Sequence, residues 1–463
     1  MTHVNKRQKN LIVYVSALPE GIIDSVRQYN AANGTDYEVM LLWDSRVKDV
    51  KERSKTPGLA VFVSCDFSKP DKIIEALAPY RDRMLAISCR HEQSIARFME
   101  IIPHVPYLRT PTTESLRWAS DKYEMRRRMR AYNPKITPQF TLVKENSKEE
   151  RERIVTKIGF PMVIKPTNMA GSLLVSICYH EEELEKVLRN TFRRLKKAYR
   201  DDKRLEKPQV IAEQFMDGEL YSIDSYVDSR GVVQHCPLVK QVTGKKIGHD
   251  DFFNYLQITP TGLKPATVER AERAAEDAIH AIGLRSSIAH TELMKLDDEW
   301  KVVEIGARMG GFRHLLHTLS CDINHTMNDI LIRIPAKLTV PKKCHGFACA
   351  MKWFAMKEGH ITEMKGIKKI EQLESFHSIT TNKKIGDRAV FARNGGRSVF
   401  NLFMYNADRS KLLADIRRVE QFVEVKVSRR MKSAAKLPGK TGVSGQKKSG
   451  TAATVKAKRV SKK

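Results

Sequence analysis

Up to residue 112 the chain alternates short apolar runs with longer mixed stretches. Leu11 to Ser16, Val39 to Trp43, Leu59 to Val63 and Met84 to Ser88 read as strands, and Gly21 to Ala32 and Lys69 to Tyr80 read as the helices between them. This alternation predicts a parallel, doubly wound α/β layer. Pro103, Pro106 and Pro111 then interrupt regular structure, so the first domain is assigned to residues 1–112. With 463 residues, about three domains with substantial cores are expected.

Further along, Ile288 to Leu296 is mostly apolar and β-prone, Asp297-Asp298-Glu299 is a turn signal, and Trp300 to Ile305 resumes as strand. A turn centred on Asp298 sets Glu292 opposite Glu304. Directly opposed residues of an antiparallel pair have Cβ atoms roughly 5 Å apart, where like charges are destabilising, so a cation is expected between them. The run that follows, Glu304-Ile305-Gly306-Ala307-Arg308-Met309-Gly310-Gly311, ends a strand in small residues, an arginine and a diglycine. Small residues let backbone approach a ligand, and arginine binds phosphate or carboxylate through a planar fork. Carboxylate oxygens suit Mg²⁺, which completes its shell with water and substrate phosphates. A solvated edge hairpin is the plainer alternative. His290 shares a face with Glu292, but with no third ligand at zinc spacing it reads as a packed or hydrogen-bonded histidine.

Upstream, Phe160 to Pro166 is an apolar strand ending on Lys165, followed by Thr167 to Ser172 before the next apolar run, Leu173 to Cys178. A lysine on a buried strand wants an anion, and a small-residue loop between strands can cover phosphates with backbone N–H groups. It is not a Walker loop, because no Gly-Lys-Ser/Thr opens a helix. A third element is Val210 to Glu219, containing Glu213-Gln214-Phe215 and Gly218-Glu219, ahead of the strand-like Ser222-Ile223-Asp224.

In this order, the lysine strand, small-residue loop, Glu-x-Phe hinge, Gly-Glu turn and paired-glutamate hairpin ending in Arg308 resemble the ATP-grasp superfamily. Ser120-Asp121-Lys122-Tyr123-Glu124-Met125-Arg126 is similar to its Asp-Lys-x-x-Met-Arg start. The resemblance implies that Lys122 and Lys165 contact nucleotide phosphates, that Gly171 and Ser172 cover them, and that Glu213 with the backbone near Phe215 holds adenine. It further implies that Glu219 reaches ribose, that Glu292 and Glu304 bridge Mg²⁺ (or Mn²⁺), and that Arg308 stabilises the transferring phosphoryl group or acyl phosphate. Two departures stand out. Gly306 replaces a frequent asparagine ligand, and Glu219 sits one place earlier than the usual ribose glutamate, where strand alternation turns it to the other face. The pattern Glu-Ile-Gly-Ala-Arg resembles the L-amino acid ligase and carboxylate-amine ligase branch.

The implied fold is α/β: an N-terminal doubly wound domain, a two-lobed nucleotide-binding domain over 113–340, and a small α+β C-terminal subdomain over 341–428, where Ala355 to Gly366 resembles the subdomain of carboxylase-like relatives. In the C-terminal part, Gly346 to Met351, Phe376 to Thr380, Arg388 to Ala392 and Val399 to Tyr405 read as strands, with a helix at Ser410 to Val419. The basic stretch Glu181 to Lys207 reads as a helix with a solvated face. Gly244 to Tyr255 mixes glycine, charge and aromatics; either it is an ordinary surface loop or Asp250 or Asp251 meets a substrate amine.

Residues 429–463 contain twelve Lys or Arg and no acid, a composition that cannot offset chain entropy by burial and predicts disorder. Of the chain's +28, +16 remains on the body, so nonspecific contact with nucleic acid or another polyanion through 429–463 is physically reasonable; a solubilising tail is the alternative. Seven scattered cysteines without paired CxxC spacing predict reduced thiols and no zinc site. No run is long enough to span a bilayer, and a cytoplasmic enzyme is expected. The chemistry expected is ATP-dependent joining of a small-molecule carboxylate to a small-molecule amine, amino acids in the first instance, through an acyl phosphate. The alternatives are a bicarbonate-using carboxylase and a catalytically silent protein that binds nucleic acid through its tail. The sequence does not fix the oligomeric state.

Overall fold

The computed structural model describes residues 9–47, 55–169, 173–201, 208–249, 251–334, 336–341 and 343–428. Gly171, Ser172, Asp250 and the basic segment 429–463 with its expected polyanion contacts lie outside the described residues.

The first four strands, β1 (Leu11–Val15), β2 (Glu38–Asp44), β3 (Val61–Cys65) and β4 (Met84–Ser88), form a parallel sheet in the order β3-β2-β1-β4. Every residue of β1 is buried. Leu11, Val13 and Val15 share a core with Ile73 and Leu77 of helix Pro70–Leu77 and with Phe98 of helix Ile95–Ile101. Ile12 and Tyr14 pack instead with Ile22 and Val26 of helix Ile22–Asn33 and with Ile330 of helix His325–Leu331. Successive strand residues face opposite ways, so a run apolar at every position is what a sheet covered on both faces requires.

A second sheet, antiparallel, contains β5 (Phe140–Val143), β6 (Met162–Pro166), β7 (Ser176–Cys178) and β8 (Val210–Gln214) in the order β5-β8-β6-β7. Helix Lys148–Ile158 and helix Glu181–Asp201 back it through Ile154, Leu184, Leu188 and Leu195. Those leucines recur at helical spacing, while Lys186, Arg189, Arg193 and Lys196 between them are exposed, the solvated face expected of this basic stretch.

The largest sheet has nine strands: β9 (Glu219–Val227), β10 (Val233–His235), β11 (Val239–Thr243), β12 (Asn254–Thr259), β13 (Ser287–Leu296), β14 (Glu299–Gly306), β15 (Phe347–Trp353), β17 (Phe376–Thr381) and β19 (Phe400–Asn406). Its order is β14-β13-β9-β11-β12-β15-β19-β17, with β10 beside β9. A three-stranded sheet, β18-β16-β20, completes the fold with β16 (Gly359–Lys365), β18 (Arg388–Ala389) and β20 (Glu424–Ser428). Because β12 pairs with β15, the large sheet runs across residue 340 without a break, and C-terminal strands extend the same wall as β13 and β14. Helix Pro265–Ala281 lays an alanine face, Ala271, Ala275 and Ala278, in one core with Val302 and Ile305 of β14 and with Leu11 of β1.

One expectation is corrected. Cys321 and Cys344 are joined by a disulfide, while Cys65, Cys89, Cys178, Cys236 and Cys349 are free and buried. The bond depends on the return of the chain beside helix Arg313–Cys321, where the His345 N–H donates to the Ser320 carbonyl at 2.9 Å. A sequence separation of 23 carries no sign of that approach.

Candidate functional site

The hairpin β13–β14 sets Glu292 opposite Glu304, but by a route the turn alone does not supply. Leu296 pairs with Glu299 across a two-residue turn, Asp297-Asp298, and the ladder continues regularly to Leu293 opposite Val302. In that register Glu292 would face Val303. A β-bulge between Glu292 and Leu293 takes up Val303 and brings Glu304 into line. Asp297 has φ 48°, a left-handed conformation that aspartate tolerates better than most residues.

Glu304 has its own cation. Lys122 is the first residue of helix Lys122–Tyr132, whose N-cap Asp121 accepts hydrogen bonds from the Tyr123 and Glu124 N–H groups. Its Nζ donates to Glu304 Oε1 at 3.2 Å and to the Met169 carbonyl at 2.9 Å. One turn on, Arg126 is fully buried and grips Glu213 through Nε and Nη2 at 2.9 and 3.0 Å. It also donates to the Val302 and Val303 carbonyls at 2.6 and 2.8 Å, tying the helix to the bulge. Lys165 at the end of β6 meets the other side of Glu213 at 2.8 Å. Burial alone would push the Glu213 carboxyl up, but Arg126 and Lys165 outweigh it and hold it at about 2. Burial pushes the Lys165 ammonium below its ordinary value, more than Glu213 restores.

Behind Glu292 lies a polar network centred on Asp224 of β9. Asp224 accepts from His290 Nδ1 at 2.6 Å, His325 Nε2 at 2.8 Å and the Gly310 N–H at 2.8 Å, and Arg313 Nε stands 3.9 Å away. His290 is therefore hydrogen-bonded, as its sequence context suggests, with Nε2 3.7 Å from Glu292 Oε1. Burial raises the Glu292 carboxyl, but His290, Arg313 and Arg308 together hold it below its ordinary value. Gly310 has no room for a side chain, since a Cβ there would collide with the His290 imidazole. Arg308 donates from Nε to Glu92 Oε2 at 2.6 Å and from Nη1 to the Met309 carbonyl at 3.0 Å.

Glu92, Lys122, Lys165, Glu213, His290, Glu292, Glu304, Arg308 and Arg313 border one cleft of about 1540 Å³, enough for a nucleotide and a second small molecule. Among the described residues no three His, Cys, Asp or Glu side chains cluster as metal ligands, and Glu292 and Glu304 are the two carboxylates that the hairpin sets side by side. Two hard carboxylates with lone pairs to spare, beside a cleft lined by Lys122 and Lys165, suit Mg²⁺ completed by phosphates and water.

The family model for the ATP-grasp domain matches residues 158–315. That match spans about a third of the chain, which is similar to an ATP-grasp domain there. Alanine–anticapsin ligase of Bacillus subtilis (strain 168) is 23% identical over 282 residues, which covers 58% of each chain, so the match spans little more than half of that relative. The crystal structure of L-amino acid ligase from Bacillus licheniformis superposes with a TM-score of 0.68 at 16% identity, covering 90% of this chain and 99% of that one. N5-carboxyaminoimidazole ribonucleotide synthetase from Thermotoga maritima gives 0.62 at 15% identity, with 90% and 100% covered.

Around the cleft the structure gathers Lys122, Lys165, Glu213, Phe215, Glu219, Glu292, Glu304 and Arg308. The Glu213 carboxylate is committed to Arg126 and Lys165, so any contact from β8 to a base falls to its main chain or to Phe215. Glu219 accepts from Lys240 and from the Tyr221 hydroxyl. Asp251 is buried, its carboxylate accepts from the Phe252 and Arg393 N–H groups, and it is not among the residues that line the cleft. Sequence reasoning did not single out Arg90, Glu92, Arg313 or Lys352, all of which line the cleft. Glu92 and Arg90 come from the N-terminal layer and Lys352 from β15, and only tertiary structure brings them to Arg308.

Proposed function

We propose that this chain is an ATP-dependent carboxylate–amine ligase, which joins two small molecules, amino acids in the first instance, through an acyl phosphate and releases ADP and phosphate. What supports the reading is the convergence of the paired glutamates, Lys122, Lys165 and Arg308 in one ATP-grasp cleft.

A carboxylate is a poor electrophile because its charge repels an amine and its oxygen leaves badly. Attack of a carboxylate oxygen on the γ-phosphorus of ATP breaks the β–γ bridging bond, and ADP leaves with the electron pair. Attack of the amine nitrogen on the acyl carbon then expels phosphate, the nitrogen sheds a proton to solvent, and an amide remains. Glu292 and Glu304 hold Mg²⁺ or Mn²⁺, which when bound supplies neutralisation of the phosphoryl oxygens. Lys122 and Lys165 each carry three N–H donors, so both can reach phosphate oxygens without releasing every present partner. Arg308 is fixed through Nε and Nη1, which frees Nη2 for the oxygens of the transferring group. Phe215 with the main chain of β8 borders adenine, and Glu219 is the candidate for ribose.

The test is incubation with Mg-ATP and pools of amino acids, with phosphate release followed alongside mass detection of amides. ADP, phosphate and an amide are expected together. Glu304→Gln, which removes charge at nearly constant volume, should reduce release to background with an unchanged circular dichroism spectrum. ADP release driven by bicarbonate without any amine would replace this reading with carboxylase chemistry.

A further inference from the structure

A second cavity, of about 410 Å³, shares no lining residue with the cleft among the described residues. Tyr123, Arg127 and Arg130 border it from helix Lys122–Tyr132, Phe140 and Thr141 from β5, and Lys157 from the last turn of helix Lys148–Ile158. Tyr123, Arg127 and Arg130 recur at helical spacing and form one stripe of the helix, beside the buried stripe of Lys122, Arg126 and Met129. Three cations thus line the cavity, and among the described residues no carboxylate does. In the cleft, by contrast, Glu213 meets Lys165, Glu304 meets Lys122 and Glu92 meets Arg308.

The cations keep donors unspent. Arg127 donates through Nη1 to the two oxygens of Glu124 at 3.0 and 3.2 Å, which leaves Nε and Nη2 without a partner among the described residues. Arg130 lies over the Phe140 ring, 4.0 Å from its centroid, and donates from Nη2 to Gln139 Oε1 at 3.4 Å. A guanidinium stacked on a ring keeps its edge N–H groups for an anion. Tyr123 meets the same ring edge to face at 5.8 Å, so the aromatic floor is fixed. Thr141 Oγ1 accepts from Arg153 Nη1 at 3.0 Å and retains its own O–H as a donor. Lys157 is exposed and has no acceptor among the described residues. With Glu124 set against Arg127, the equivalent of two positive charges remains unmatched. A dianion with several acceptor oxygens is the complement, and phosphate is that group. The volume is that of a small-molecule site.

We propose that this cavity is an effector site for a phosphate dianion, free or carried by a small molecule. The helix that holds Arg127 and Arg130 also presents Lys122 to the cleft, and Phe140 stands across the ladder from Glu213. A dianion bound there adds negative charge to the element that meets nucleotide phosphate, so its occupancy weakens nucleotide binding. That effect rests on the nucleotide reading of the cleft; the phosphate site itself does not.

The experiment titrates ribose 5-phosphate, inorganic phosphate and ribose into the full chain by calorimetry, with the cleft filled by the magnesium complex of a non-hydrolysable ATP analogue. Wild type is compared with Arg127→Gln/Lys157→Gln and with the charge-retaining Arg127→Lys/Lys157→Arg, all at exposed positions. Wild type should bind the phosphates at one site and ribose not at all, and the tighter of the two phosphates names the source. The glutamine variant should weaken binding about a hundredfold, and the charge-retaining variant less than tenfold. In a second titration, saturating phosphate ligand should weaken binding of the analogue about threefold in wild type and leave it unchanged in the glutamine variant. Phosphate binding equal in wild type and the glutamine variant would overturn the site, as would a shift in analogue affinity that persists in that variant, since it places the ligand in the cleft. An analogue affinity untouched by phosphate in wild type would overturn the effector role. Binding of a twelve-nucleotide single-stranded DNA that depends on Arg127 and Lys157, with neither phosphate bound, would overturn the site in favour of a nucleic-acid face. A chain that binds no analogue would overturn the nucleotide reading and the effector role together, while the phosphate titration still decides the site.

Discussion

At the scale of single residues, Glu213 separates architecture from chemistry. It borders the cleft, but its carboxylate lies between Arg126 and Lys165, all three buried. Removing one member of such a group leaves the rest as uncompensated buried charge, a loss of about 3–5 kcal/mol. Glu213→Gln should therefore destabilise the fold at neutral pH. The pH dependence has a defined sign. The folded carboxyl sits at about 2, against an ordinary value of 4.5, so its stabilisation is present above about pH 4.5 and lost as pH falls through 2. Urea unfolding of wild type and Glu213→Gln should show a gap that narrows by about 1 kcal/mol between about pH 7 and pH 3.5. A gap independent of pH would mean that the carboxylate's charge contributes nothing there.

At the scale of elements, helix Lys122–Tyr132 couples the site to the sheet. Asp121 caps it, Lys122 reaches Glu304, and Arg126 holds the main chain of the bulge that aligns Glu304 with Glu292. Asp121→Ala should cost about 1 kcal/mol of stability through loss of the cap. If the cap also fixes the direction of Lys122, the KM for ATP rises severalfold in the same variant; a lowered melting temperature with unchanged KM would restrict Asp121 to the helix. Much of this architecture was legible in the chain. The all-apolar run of β1 announces burial on both faces, and the apolar–turn–apolar pattern around Asp298 announces the hairpin. The facing of Glu292 and Glu304 was readable too, although the chain reaches it through a two-residue turn and a bulge at Val303 rather than a wider turn. What was not legible depends on long-range pairing. No local signal joins β12 to β15, so the continuous wall that carries Lys352 into the cleft is invisible in one dimension. The Cys321–Cys344 bond and the Glu92–Arg308 pair are hidden for the same reason.

At the scale of the whole molecule, charge is the dominant feature. The chain carries +28, of which residues 429–463 supply twelve cations and no acid. The rest of the excess is spread over the body, including the exposed Lys186, Arg189, Arg193 and Lys196 of helix Glu181–Asp201. These two sources predict different behaviour towards a polyanion. Each phosphate neutralised by a protein cation steepens the fall of log K with log salt by about 0.9 for duplex DNA, so a segment engaging even half of its twelve cations would change the slope by several units. Deleting 429–463 should therefore flatten the salt dependence of duplex DNA binding and lower the salt concentration needed to elute the protein from heparin. ATP-dependent phosphate release should stay within about twofold of the full chain, because among the described residues the groups that line the cleft end at Asn401. Unchanged DNA binding after the deletion would assign the polyanion affinity to the basic face of the body. A collapse of phosphate release would instead tie the basic segment to turnover.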